Sequence, residues 1–140
     1  MRRWLVDTGP LVAYLDRADP MHGAVTERVD GFTGQLATTG AVVTEVMYFV
    51  SDASDGPLAF AELLVSSDVQ VIESMQPSEI LAAALLMRKY AATPMDFADA
   101  TLVALAEQLD LTDILTLDRR GFSTYRTSTG RKFRLVLDRT

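Results

Sequence analysis

Apolar positions recur along this chain in two rhythms. Short runs of aliphatic and β-branched residues at 3–6, 36–38, 69–72 and 113–117 have the length and composition of buried strands, and 133–137 offers a last one. The longer stretches between them space their apolar residues three and four apart, which predicts helices over 9–16, 20–29, 41–50, 58–65, 77–90 and 97–109. Punctuation agrees with that division. Pro10, Pro20 and Pro77 open helices, Gly31 and Gly34 mark a loop, Thr39 can cap the helix that follows it, and Thr93-Pro94 separates the last two helices. Short strands alternating with helices imply a mostly parallel sheet covered on both faces, an α/β fold. No repeat, low-complexity stretch or linker interrupts the pattern, so residues 1–140 read as one domain.

Against this background the acidic residues stand out by position. In an open parallel sheet, ligands sit in the crevice beyond the carboxyl ends of the strands. Asp7 and Asp118 both follow predicted strands. Each also has a purely structural role open to it. Asp7 can cap the helix that begins at Gly9-Pro10, and Asp118-Arg119-Arg120-Gly121 has aspartate first and glycine fourth, as a type I turn prefers. Glu45 shares a helical stripe with Val42 and Phe49, where a carboxylate facing apolar neighbours needs a partner. Asp96 and Asp99 lie three apart at a helix start. Asp96 suits the cap, and Asp99, in line with Leu102, Val103 and Ala106, points inward.

Composition narrows the chemistry these acids can do. There are no cysteines and only one histidine, His22, which as a helix-start residue is assigned no chemistry. A set built from Asp7, Glu45, Asp99 and Asp118 is hard and oxygen-rich, selecting Mg²⁺ or Mn²⁺ over zinc. The net charge of −6 opposes non-specific nucleic-acid binding, yet it is unevenly spread. From Arg119 onward seven cations face Asp138 alone, a net +6 that leaves −12 on the preceding residues. Such a protein can hold cations in one place and phosphates in another. Asp7 and Pro10 break any apolar run at the N-terminus, so no signal or membrane span is expected there and the chain is read as cytoplasmic. Tyr14, Tyr48, Phe49 and Phe60 fall on apolar helix faces and are expected to pack in the core or at a protein interface.

Taken together, Leu5-Val6-Asp7-Thr8, Thr44-Glu45, Phe97-Ala98-Asp99-Ala100-Thr101-Leu102 and Leu115-Thr116-Leu117-Asp118-Arg119-Arg120 resemble, in order and spacing, the PIN domains, and among them the VapC-type toxins of toxin–antitoxin pairs. The resemblance covers nearly the whole chain. It implies a Rossmann-like three-layer α/β/α sandwich and a metal-dependent endoribonuclease that hydrolyses RNA phosphodiester bonds, leaving a 5′-phosphate and a 3′-hydroxyl. It further implies metal-site roles for Asp7, Glu45, Asp99 and Asp118, with Asp96 as a weaker member and the Thr8 and Thr116 hydroxyls orienting carboxylates or water. An antitoxin partner and a homodimer are expected on the same ground. Arg119 and Arg120, and more weakly Arg131 and Lys132, are candidates for phosphate contacts, although the stretch 124–134 matches no family motif.

Three other readings compete. Asp7-Thr8-Gly9 also resembles the aspartic-protease signature, but that chemistry belongs to β-rich folds and leaves three further acids without a role. A silent PIN-like module binding RNA or protein, and a solitary nuclease acting on RNA or DNA without an antitoxin, share the same fold. Metal binding and side-by-side digestion of RNA and DNA separate these.

Overall fold

The computed structural model describes residues 1–73 and 75–138. In chain order the elements are β1 (Arg3–Val6), α1 (Thr8–Leu15), α2 (His22–Asp30), β2 (Gln35–Thr39), α3 (Gly40–Val50), α4 (Gly56–Ser66), β3 (Gln70–Ile72), α5 (Pro77–Lys89), α6 (Phe97–Leu109), β4 (Asp113–Leu115), α7 (Arg119–Thr124) and β5 (Arg134–Leu135). The strands form one sheet in the order β3-β2-β1-β4-β5, and every pairing between neighbours is parallel. The chain therefore winds outward from β1 to β3, then crosses back over β1 to build β4 and β5.

Right-handed crossovers put α1 to α4 on one face of such a sheet and α5 with α6 on the other. The packing agrees: α1 lies against α2, α3 and α4, and α5 lies against α6. Strands covered on both sides carry no polar face. Trp4, Leu5 and Val6 of β1 and Ile114 and Leu115 of β4 are all buried, in one cluster with Val42, Val46, Phe60, Leu102, Val103 and Phe122. Trp4 stacks on Phe32 at 3.6 Å, and Arg28 lies over the same indole while its Nε–H donates to the Val136 carbonyl at 2.7 Å, fastening α2 to the chain after β5. Gly34 enters β2 so close to β1 that a Cβ there would lie 2.1 Å from the Arg2 carbonyl oxygen. Among the described residues no helix is long and apolar enough to cross a membrane.

The structure departs from the pattern-based expectation in several places, among them the start of α2, which lies at His22 rather than Pro20. The strand expected over 113–117 stops at Leu115, because the Thr116 hydroxyl accepts the Asp118 N–H at 3.0 Å and turns the chain. The strand expected over 133–137 is paired only at Arg134–Leu135, at the sheet's edge. A short helix, α7, occupies 119–124, where only a turn was expected, and α4 starts two residues earlier than its apolar pattern suggests, with Pro57 in its first turn. The buried stripe of α3 is Val42, Val46 and Val50, which turns Phe49 outward. Of the four aromatics expected to pack, only Phe60 is fully buried. Tyr48 and Phe49 are 75% and 56% exposed, and Tyr14 is half-buried with its hydroxyl donating to Asp30 at 2.8 Å. His22 is the first residue of α2, its Nδ1–H donating to the Ala13 carbonyl at 2.7 Å.

Candidate metal centre

Strands β1 and β4 are neighbours on either side of the point where the winding reverses, so their carboxyl ends open a crevice between them. The Asp7 N–H donates to the Leu115 carbonyl at 3.0 Å, so the ladder between the two strands ends at Asp7 itself. Immediately beyond it the side chains take over. The Thr116 hydroxyl donates to Asp7 Oδ2 at 2.8 Å and accepts the Asp118 N–H, while Asp7 Oδ1 accepts the Thr8 N–H at 2.8 Å at the head of α1. One threonine thus fixes one acid's side chain and the next acid's backbone.

Asp118 caps α7, its Oδ1 accepting the Gly121 N–H at 2.9 Å. Glycine is required at that position for space, since a Cβ on residue 121 would lie 2.3 Å from Asp118 Oδ2. Asp96 and Asp99 cap α6 reciprocally: the Asp99 N–H donates to Asp96 Oδ1 at 2.8 Å and the Asp96 N–H to Asp99 Oδ2 at 3.1 Å. The Tyr125 hydroxyl, buried behind Gly121, donates to the Pro94 carbonyl at 2.8 Å and ties α7 to the loop leading into α6. Glu45 reaches the same space from α3, whose capping Thr39 hydroxyl meets the Thr101 hydroxyl of α6 at 2.8 Å.

These elements enclose an open pocket of about 380 Å³ lined by Asp7, Thr8, Gly9, Glu45, Phe49, Asp96, Asp99, Leu117 and Asp118. All five acids singled out in the sequence line it. Thr8 does so too, whereas Thr116 stands behind it, holding Asp7. Gly9, Phe49, Leu117, Gly121 and Tyr125 were not singled out as site residues. Only Gly121 left a sequence signal, as the fourth position of the turn. The basic candidates are not brought to the pocket wall. Arg119 pairs with Asp138 at 2.8 Å, Arg131 pairs with Asp110 beside the opposite end of β4, and Arg120 and Lys132 are exposed.

The electrostatics follow from five carboxylates lining a pocket with, among the described residues, no basic side chain in its wall. Burial raises Asp7 to about 6, with the Thr116 and Thr8 hydrogen bonds holding it down against repulsion from Asp96 and Asp118. Burial, then the charges of Asp7, Asp96 and Asp118, raise Asp99 to about 8. Glu45 also rises, from partial burial and the nearby Asp96, an effect that the facing Thr8 hydroxyl opposes. The Tyr125 phenol is pushed up by burial and by the same acids. Each shift records a charge that the site holds at a cost.

An all-oxygen donor set with unneutralised charge fits a hard divalent cation. The Thr8 hydroxyl, buried at the pocket wall and facing the Glu45 carboxylate, adds a further oxygen to that set. No three acidic side chains among the described residues stand close enough to cage an ion directly.

Residues 4–127 match the family model described as PIN domain. Ribonuclease VapC26 of Mycobacterium tuberculosis is 35% identical over 134 residues, spanning 94% of this chain and 98% of that protein. The crystal structure of Mycobacterium tuberculosis VapC20, described as a sarcin–ricin loop cleaving toxin, superposes with a TM-score of 0.74 at 18% identity, covering 84% of this chain and 91% of that one.

Proposed function

The chain belongs to the PIN domain family, and from that premise we propose that it is a divalent-metal-dependent endoribonuclease serving as the toxin of a toxin–antitoxin pair. The observation that carries the reading is the acid pocket itself, with five carboxylates, the buried Thr8 hydroxyl and, among the described residues, no basic side chain in its wall. The relative named as a ribonuclease, aligned over nearly its whole length, supplies the substrate class.

In this reading Asp7, Glu45, Asp99 and Asp118 hold the ion, with Asp96 beside them. Bound there, Mg²⁺ or Mn²⁺ would supply charge neutralisation and Lewis acidity for phosphodiester hydrolysis. The chain's own part is positioning. Thr116 and the Thr8 N–H fix both oxygens of Asp7, Gly121 fixes Asp118, and Asp96 fixes Asp99, so the site is organised before the substrate arrives. Arg120, exposed two residues after Asp118 and outside any ion pair among the described residues, contacts the RNA backbone. Self-association and antitoxin capture use apolar side chains left exposed on the helices, among them Ile80, Leu81 and Leu85 of α5.

Cleavage of RNA by the purified protein, with and without chelator, tests the reading. Activity restored by Mg²⁺ or Mn²⁺ and reduced at least about 100-fold in both Asp7→Asn and Asp99→Asn is the expected result. Metal-dependent cleavage retained in both variants would overturn it.

A further inference from the structure

Glu45 and Asp96 face two spaces. On one side is the acid pocket, and on the other they border a second pocket of about 530 Å³ whose wall is mainly apolar, formed by Ala41, Tyr48, Met75 and Phe97. The two pockets therefore meet at a shared pair of acids. Tyr48 and Phe49 divide between them, Tyr48 lining the apolar pocket and Phe49 the acid one, with their rings edge to face at 5.6 Å.

The exposure of these rings has no account in the packing of the fold. Val42, Val46 and Val50 fill the buried stripe of α3, and Tyr48 and Phe49 remain 75% and 56% exposed beside the site. Met75, also in that pocket's wall, is itself 43% exposed. Exposed aromatic rings offer flat apolar faces on which any base can stack, and a base removed from a helix exposes such a face itself. Among the described residues no basic side chain lines the apolar pocket, so it suits an uncharged ring better than a phosphate.

We propose that the apolar pocket is a nucleobase subsite: the base of a nucleotide flanking the scissile phosphate stacks on Tyr48, while the phosphate is held at the acids next door. This rests on the ribonuclease reading and specifies it, because a stacked base must first leave a duplex. The substrate is then single-stranded RNA, or a loop, at the point of cleavage.

A short single-stranded RNA carrying a site that the protein cleaves provides the test, together with copies in which each flanking base in turn is replaced by an abasic ribose. With the wild-type protein one abasic position is expected to raise KM roughly 5- to 100-fold. Tyr48→Ala is expected to raise KM similarly on the intact RNA and to make that abasic change silent, while Tyr48→Trp keeps the wild-type pattern. Pairing the RNA into a duplex should abolish cleavage. The proposal is overturned if Tyr48→Ala and the abasic change multiply independently, or if Tyr48→Ala alters only the sedimentation of the protein, which would make the ring a contact between copies. Absence of metal-dependent cleavage by the wild-type protein would sink the nuclease reading instead. Quenching of 2-aminopurine in the same RNA then decides the subsite, since lack of quenching by the wild-type protein, or equal quenching by Tyr48→Ala, overturns it.

Discussion

Aspartates occupy both ends of strand β4, and the protein treats them in opposite ways. Before the strand and at its first residue, Asp110 pairs with Arg131, and Asp113 accepts two hydrogen bonds from Arg134 at 2.8 and 3.0 Å, so that the guanidinium holds the Asp113 carboxyl below its usual range. Beyond the strand's other end, Asp118 joins Asp7, Asp96, Asp99 and Glu45 around a pocket with no basic side chain in its wall among the described residues, where burial and mutual repulsion push Asp7 and Asp99 upward. The first arrangement is complete without a ligand. The second leaves its charge without a neutralising partner among the described residues, and that difference separates a stabilising ion pair from the metal site proposed above.

The sharpest way to break the contrast is to disturb the acid end without removing an acid. Thr116→Val deletes the hydroxyl that donates to Asp7 Oδ2 and accepts the Asp118 N–H, leaving a side chain of similar shape. Cleavage and metal affinity are expected to fall together by roughly 10- to 100-fold, as for other groups that orient a metal ligand. The fold should lose only about 1 kcal/mol. Metal titration by calorimetry beside denaturant unfolding checks both. Unchanged metal affinity would show that Asp7 needs no positioning from β4.

A smaller effect should appear in the metal-free protein's dependence on pH. Asp7 and Asp99 have folded pKa values of about 6 and about 8 against 3.8 for the free side chain, so the folded state binds their protons more tightly than the unfolded state. Stability from this end therefore falls as pH rises from 3.8 through about 8. Asp113 works in the opposite sense, contributing above the ordinary carboxyl range and losing its contribution as pH falls below it. The metal-free melting midpoint is expected to drop by on the order of 5 °C between about pH 5 and about pH 9. Saturating Mn²⁺ should offset the drop, and Asp99→Asn should remove much of it. A midpoint that instead rises across that range would show the acids to be comfortably charged without metal.

How much of this was legible in the sequence follows from the physics of each feature. The order of strands and helices shows as periodicity, because burial on both faces or on one stripe leaves its mark residue by residue. The five acids could be singled out because each sits at a strand end, a helix start or beside an apolar stripe. Asp7, Asp96 and Asp118 each cap a helix through one oxygen and also line the pocket, so capping does not exclude the metal role proposed for them. Less legible was anything fixed by the rotation of a helix or by distant contacts. A modest rotation of α3 made Val50 the buried residue and exposed Phe49, and no local pattern announces that Tyr125 reaches Pro94. The basic tail is hard to read for a related reason. Charge counted along the chain cannot reveal that Arg119, Arg131 and Arg134 find partners in Asp138, Asp110 and Asp113.

Those partners give the comparison its smallest test. Arg134→Met removes the cation from Asp113 but keeps an unbranched side chain along the edge strand. The Arg134 side chain is 49% and the Asp113 side chain 28% exposed, so water screens much of their attraction and the expected loss is below about 1 kcal/mol. Asp113 should then return toward the ordinary carboxyl range, measurable by NMR titration, while cleavage and metal affinity stay at wild-type levels. The unchanged activity matters more than the small loss of stability. If Arg134→Met weakened cleavage as strongly as Thr116→Val, the two ends of β4 would be coupled through the strand, and the division into a neutralised base and a charged working end would fail.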